Sequence, residues 1–164
     1  MKRLLNTYSI VAIAGLLFFT ACSGSKEART MKGTIKGDWL LQTVNIEGIN
    51  SKIEAKVFNE ADFNCFIGST WNFISNNNMG SYTLSGSPSG CSSVTRNIRW
   101  SVYEPKGGER EFQFKRLDEK RNPLDDNNGF RLGVTTLTDN TMQLKSAITF
   151  EGKAANIVYN FVKQ

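Results

Sequence analysis

Histidine is absent from all 164 residues, and proline and cysteine occur only three times each. Without an imidazole, no side chain has an unperturbed pKa near neutrality, so acid–base chemistry would demand a strongly shifted Asp, Glu, Lys or Cys. Ser-His-Asp and Cys-His nucleophile arrangements are excluded outright. Histidine-containing zinc sites go with them, and three cysteines are too few for an all-thiolate site. The sequence also lacks any stretch of clustered Arg and Lys interleaved with aromatics, which a phosphate-tracking groove needs. Net charge is +5, and Lys2 and Arg3 supply two of it, leaving about +3 for the rest. That balance suits a solvated surface and gives little reason to expect nucleic acid as a partner. The expectation is a protein that is not an enzyme and carries neither metal nor cofactor.

What is present favours a folded globule: 40% hydrophobic residues, including eleven Phe. The length suits one domain. The first 21 residues stand apart from it. Met1-Lys2-Arg3 is cationic, and Ile10 to Phe19 is apolar, long enough for a signal core but short of a bilayer-spanning helix. The run ends at Phe19-Thr20-Ala21-Cys22, followed by Ser23-Gly24-Ser25. This order resembles a lipobox, the signal of bacterial lipoproteins, in which the cysteine is acylated and exposed by cleavage. The alternatives are an ordinary signal with an incidental Cys and an uncleaved anchor. The resemblance implies a signal peptide over residues 1–21, lipid on Cys22 and attachment to a membrane. Each buried methylene of the acyl chains adds about 0.8 kcal/mol of membrane affinity. Ser23 stands where an enterobacterial lipoprotein retained at the inner membrane would carry Asp, so the resemblance favours the outer membrane, on either face. Residues 22–35 read as a flexible tether, with small and charged residues and no apolar period.

Cys65 and Cys91 remain, an even number in an exported chain, so a disulfide is the expected reading. It would contribute roughly 3–4 kcal/mol on the chain-entropy model. A redox pair is the alternative, without CxxC spacing to support it.

From residue 36 the sequence breaks into short alternating runs separated by Gly, Asn, Pro and charged residues. The runs are 38–46, 70–74, 81–84, 97–103, 111–115, 130–137, 142–150 and 155–162. The clearest places Met142, Leu144, Ser146, Ile148 and Phe150 on one face. Eight strands with mostly short connections and no βαβ alternation make an all-β domain over residues 36–164. An eight-stranded antiparallel up-and-down barrel leaves no open edges, and its interior is just wide enough for side chains or one small ligand. A two-sheet sandwich is the competing arrangement. Residues 47–69 alternate poorly and read as a short helix, a lid or a strand extension.

Gly37-Asp38-Trp39, opening the first run, matches the Gly-x-Trp with which lipocalins begin their barrel. Lys36 to Leu41, Cys65 to Phe73, Gly80 to Leu84 and Cys91 to Val102 together resemble the lipocalin-like lipoproteins of Bacteroidota. Thr138-Asp139-Asn140 lies where lipocalins carry Thr-Asp-Tyr. No Arg follows the last run to stack on Trp39, and only Lys163 lies near. The resemblance implies a barrel closed at one end by Trp39, with a small hydrophobic or amphiphilic ligand at the other. The candidate ligand contacts are Trp71, Phe73, Tyr82, Trp100, Phe112, Phe114, Met142, Leu144 and Ile148. Each also has a plain reading as core of a filled barrel. A filled barrel would point instead to a structural or interaction lipoprotein whose loops grip another envelope protein. Asp125 to Gly129 lacks the spacing of a calcium loop and reads as a solvated hairpin. Glu109 and Glu111 share a face by alternation, with nothing to mark a cleft.

Overall fold

Alternation of apolar and polar residues sets the walls of the molecule. The computed structural model describes residues 25–49, 54–87, 90–105 and 107–164. In chain order these form α1 (Lys26–Ile35), β1 (Gly37–Glu47), β2 (Lys56–Val57), β3 (Ala61–Asp62), β4 (Thr70–Ile74), β5 (Met79–Ser85), β6 (Ser93–Tyr103), β7 (Glu111–Leu117), β8 (Phe130–Leu137), β9 (Thr141–Phe150) and β10 (Lys153–Lys163). Strands β4 to β10 pair antiparallel, each with the next, and β1 closes the ring between β10 and β4. The result is a closed eight-stranded up-and-down barrel, not a sandwich. All eight runs read from the sequence are wall strands. β6 begins four residues earlier than read and β7 ends two later, and both extensions matter at the site.

Side chains alternate across the wall as a pleated strand requires. Trp71 and Phe73 on β4, Ile98 and Trp100 on β6, and Phe112 and Phe114 on β7 all point inward and are buried. So do Tyr159 and Phe161 on β10. Register shifts between Leu41 and Thr43 on β1, and between Val134 and Thr136 on β8, change the parity of those strands midway. The β1 shift lets both Leu41 and Val44 face the core.

The tether expected over residues 22–35 does not hold for its later part: Lys26–Ile35 is a helix. The Ser25 hydroxyl caps it by accepting from the Ala28 amide at 3.0 Å. Glu27 in the first turn and Lys32 in the last suit the helix dipole. Met31 and Ile35, four residues apart, are buried together beneath one end of the barrel. Burying each contributes about 1.5–3 kcal/mol. At the same end the Trp39 indole donates to the Ile35 carbonyl at 2.7 Å. The Lys163 ammonium lies 5.0 Å from the centre of the Trp39 ring and also donates to the Thr34 carbonyl. Lysine thus fills the stacking place beside Trp39 where lipocalin resemblance would put an arginine. This end is shut. Cys22 and the segment 1–24 lie outside the described residues.

At the opposite end the stretch 54–66 folds inward over the mouth. β2 and β3 form a minimal hairpin, and the Glu60 amide donates to the Val57 carbonyl at 3.0 Å. A 3-10 turn at Phe63–Phe66 follows, capped by Asp62. Cys65 in that turn is bonded to Cys91, just before β6, so the expected disulfide fastens the mouth segment to the wall. The open choice for residues 47–69 resolves, within the described part, as a hairpin lid.

Candidate binding site

The barrel interior is a mass of rings. Of the nine residues put forward as ligand contacts, Trp71, Phe73, Tyr82, Trp100, Phe112, Phe114, Met142 and Leu144 are at most 3% exposed and converge on it. Ile148 is only half-buried, nearer the mouth. The indoles keep their polar atoms satisfied at the margins: Trp71 donates to the Ser69 hydroxyl and Trp100 to the Met79 carbonyl, both at 2.9 Å. The space at the middle of the barrel is therefore lined by apolar groups.

The ring at its centre does not belong to the wall. Phe58, at the tip of the β2–β3 hairpin, stacks on Tyr159 at 5.3 Å. It meets Phe114 at 5.0 Å, Phe66 at 5.3 Å and Phe130 at 5.4 Å edge-on. With Phe58 in place, the void among the described residues at the centre of the rings is about 10 Å³, lined by Phe58, Trp71, Phe112, Phe114, Tyr159 and neighbours. That is at most room for one water. Phe58 and Asn59 both have positive φ, 52° and 51°. A two-residue turn of this kind suits Asn, but a bulky ring in the left-handed region is a strained choice. The strain persists because surrounding contacts hold the turn in place.

Those contacts are ionic. Glu60, two residues beyond Phe58, receives Arg96 Nε at 2.8 Å and Arg96 Nη2 at 3.0 Å. Arg116 Nη1 reaches it at 2.6 Å and the Tyr82 hydroxyl at 2.9 Å. Arg116 also grips Asp125 through Nη2 at 2.6 Å and Nε at 2.9 Å. Asn59 donates to the same Asp125 carboxylate at 3.1 Å. Burial alone would raise the Glu60 carboxyl, but the hydrogen bonds from Arg96, Tyr82 and Arg116 outweigh it and hold its pKa down to about 2. Burial, and then the adjacent Glu60 charge, push the Tyr82 hydroxyl well above its ordinary value. Arg116 holds the Asp125 carboxyl below the usual range. Asp125 is thus half of a buried ion pair, and the solvated-hairpin reading of 125–129 is wrong at its first residue.

Arg96, Arg116, Tyr159 and Phe161 were not among the expected contacts, and Phe58 and Glu60 were expected only as part of a short helix or an ordered lid over Phe58 to Phe63. The arginines sit on inward positions, in step with Ile98 and Trp100 on β6 and with Phe112 and Phe114 on β7. A cation in phase with an apolar stripe was the available signal. Glu109 and Glu111 do share a hollow of about 470 Å³ with Arg131 and Lys145, but it lies on the outer wall, remote from the rings. A second outer hollow, about 540 Å³, is lined by Arg99, Ser101, Gln113, Lys115 and Arg131. Among the described residues no group of three His, Cys, Asp or Glu side chains could hold a metal ion.

No family model matches the chain, and no curated protein matches it. Among solved structures, bovine odorant binding protein in complex with a selenium-containing odorant is similar, at a TM-score of 0.44 and 12% identity. The match covers 87% of this chain and 78% of that one. The architecture stands on this chain's own strand pairing.

Proposed function

We propose that this protein is a non-catalytic, lipocalin-like lipoprotein that takes a small hydrophobic or amphiphilic molecule into its barrel, in the slot Phe58 fills here. The observation that carries this reading is the origin of the central ring. A barrel built only to be solid would fill its middle from its own wall. Here the wall leaves an aromatic slot, and a strained hairpin tip from outside occupies it. A ligand would enter as the hairpin withdraws, exchanging one buried apolar group for another. In the same reading Cys22 bears lipid and holds the domain at the outer membrane. Cys22→Ser should move the protein from the membrane to the soluble fraction, and unchanged membrane attachment would defeat the anchor.

The test of the barrel is calorimetric titration of 4-phenyl-1-butanol into the intact protein and into Phe58→Ala. Displacing a buried Phe costs about 1.5–3 kcal/mol, so the variant should bind roughly 10- to 100-fold tighter. Absence of binding to both proteins would overturn the reading. A second reading has one observation in its favour, the void of only about 10 Å³. On that reading the barrel is a filled scaffold whose loops grip another envelope protein.

A further inference from the structure

Phe58 and Glu60 leave the hairpin on the same side and enter the barrel at two depths. The ring lies among Phe114, Tyr159 and Trp71. The carboxylate stops one inward position nearer the rim, where Arg96 lies two residues before Ile98 on β6 and Arg116 two residues after Phe114 on β7. The hairpin therefore presents an apolar body and an anionic head, each in a matching compartment. We propose that Phe58 and Glu60 are a built-in stand-in for the ligand, and that the molecule displacing them is a carboxylate with an apolar tail about the width of a phenyl ring. This rests on the reading that the interior binds a small molecule, and it names the class.

Charge supplies the reason. With Glu60 in place, the guanidiniums of Arg96 and Arg116 face the carboxylates of Glu60 and Asp125. With the hairpin withdrawn, two cations face Asp125 alone. A neutral guest would leave one guanidinium uncompensated beside an apolar cavity, which is unfavourable. A carboxylate guest restores the balance and offers the planar, two-oxygen acceptor that Arg96 already grips with two nitrogens. The Tyr82 hydroxyl, now donating to Glu60, would donate to the guest. The hairpin is then a competitor that keeps the interior dry and electrically balanced until such a guest arrives.

The experiment compares 4-phenylbutanoate with 4-phenyl-1-butanol, which share a tail and differ in the head, by calorimetry at pH 7. The intact protein should bind the carboxylate at least 10-fold tighter than the alcohol. Glu60→Gln removes the competing charge and should tighten the binding of both compounds by a similar factor, leaving that ratio in place. Arg96→Gln, at a side chain about a third exposed and so tolerant of change, should narrow it. Equal binding of acid and alcohol by the intact protein and by both variants would overturn the head-group assignment while leaving interior binding standing. If neither compound binds even Phe58→Ala, interior binding itself fails, and this assignment with it.

Discussion

Glu60 carries its charge into a side-chain position only 11% exposed, and three donors keep it ionised there. Its folded pKa lies near 2 against an ordinary 4.5. The stabilisation is therefore complete above pH 4.5 and is lost as pH falls towards 2. Glu60→Gln should cost about 1.5–3 kcal/mol at pH 6 and should remove much of the decline between pH 4.5 and 2. Urea midpoints across that range check this. Parallel acid profiles for the two proteins would contradict it. This ion cluster was only half legible in the sequence. Arg96 and Arg116 keep strict step with buried aromatics, so their inward placement follows from alternation once the strands are carried far enough. Glu60 could not be paired with them by any local rule, because 36 and 56 residues separate it from its partners. Phe58 was hidden for a related reason: its position depends on a turn with positive φ that Phe rarely adopts.

Among the elements, the wall strands were the most legible. Each buries one face, so the period of two is written directly in the residues. α1 was not. It has only two buried apolar residues, Met31 and Ile35, and its stretch also holds Gly33 and two Thr, so no stripe stands out. Its remaining signals were the Ser25 cap and the placement of Glu27 and Lys32. The lid segment followed neither period, because its backbone is held by side-chain caps, a disulfide and ions. The Cys65–Cys91 bond joins the lid's 3-10 turn to the start of β6. The double substitution to Ser should destabilise the protein by about 2–5 kcal/mol. Amides of 54–66 should then exchange faster with solvent, while those of β9 and β10 keep their relative order of protection. Loss of protection spread evenly over the barrel would argue against a local role for the bond.

On the scale of the whole molecule, two ends of one cylinder have different characters. The helix end is bound by buried apolar contacts and by Lys163 over Trp39. The mouth is closed by a strained hairpin and by the ion cluster of Glu60, Arg96, Arg116 and Asp125. An eight-stranded barrel has just enough interior for this choice between its own side chains and one guest. Closure of the barrel followed from the run of neighbouring hairpins. The occupant of its interior did not, because lining and plug are made of the same residue types. The most direct measurement is a crystal structure of the protein grown with 4-phenylbutanoate. The expected result is the phenyl group in the slot between Phe114 and Tyr159, its carboxylate on Arg96 and Arg116, with Phe58 turned out of the barrel. Phe58 still seated among those rings, with the compound absent or held only on the outer wall, would contradict the account.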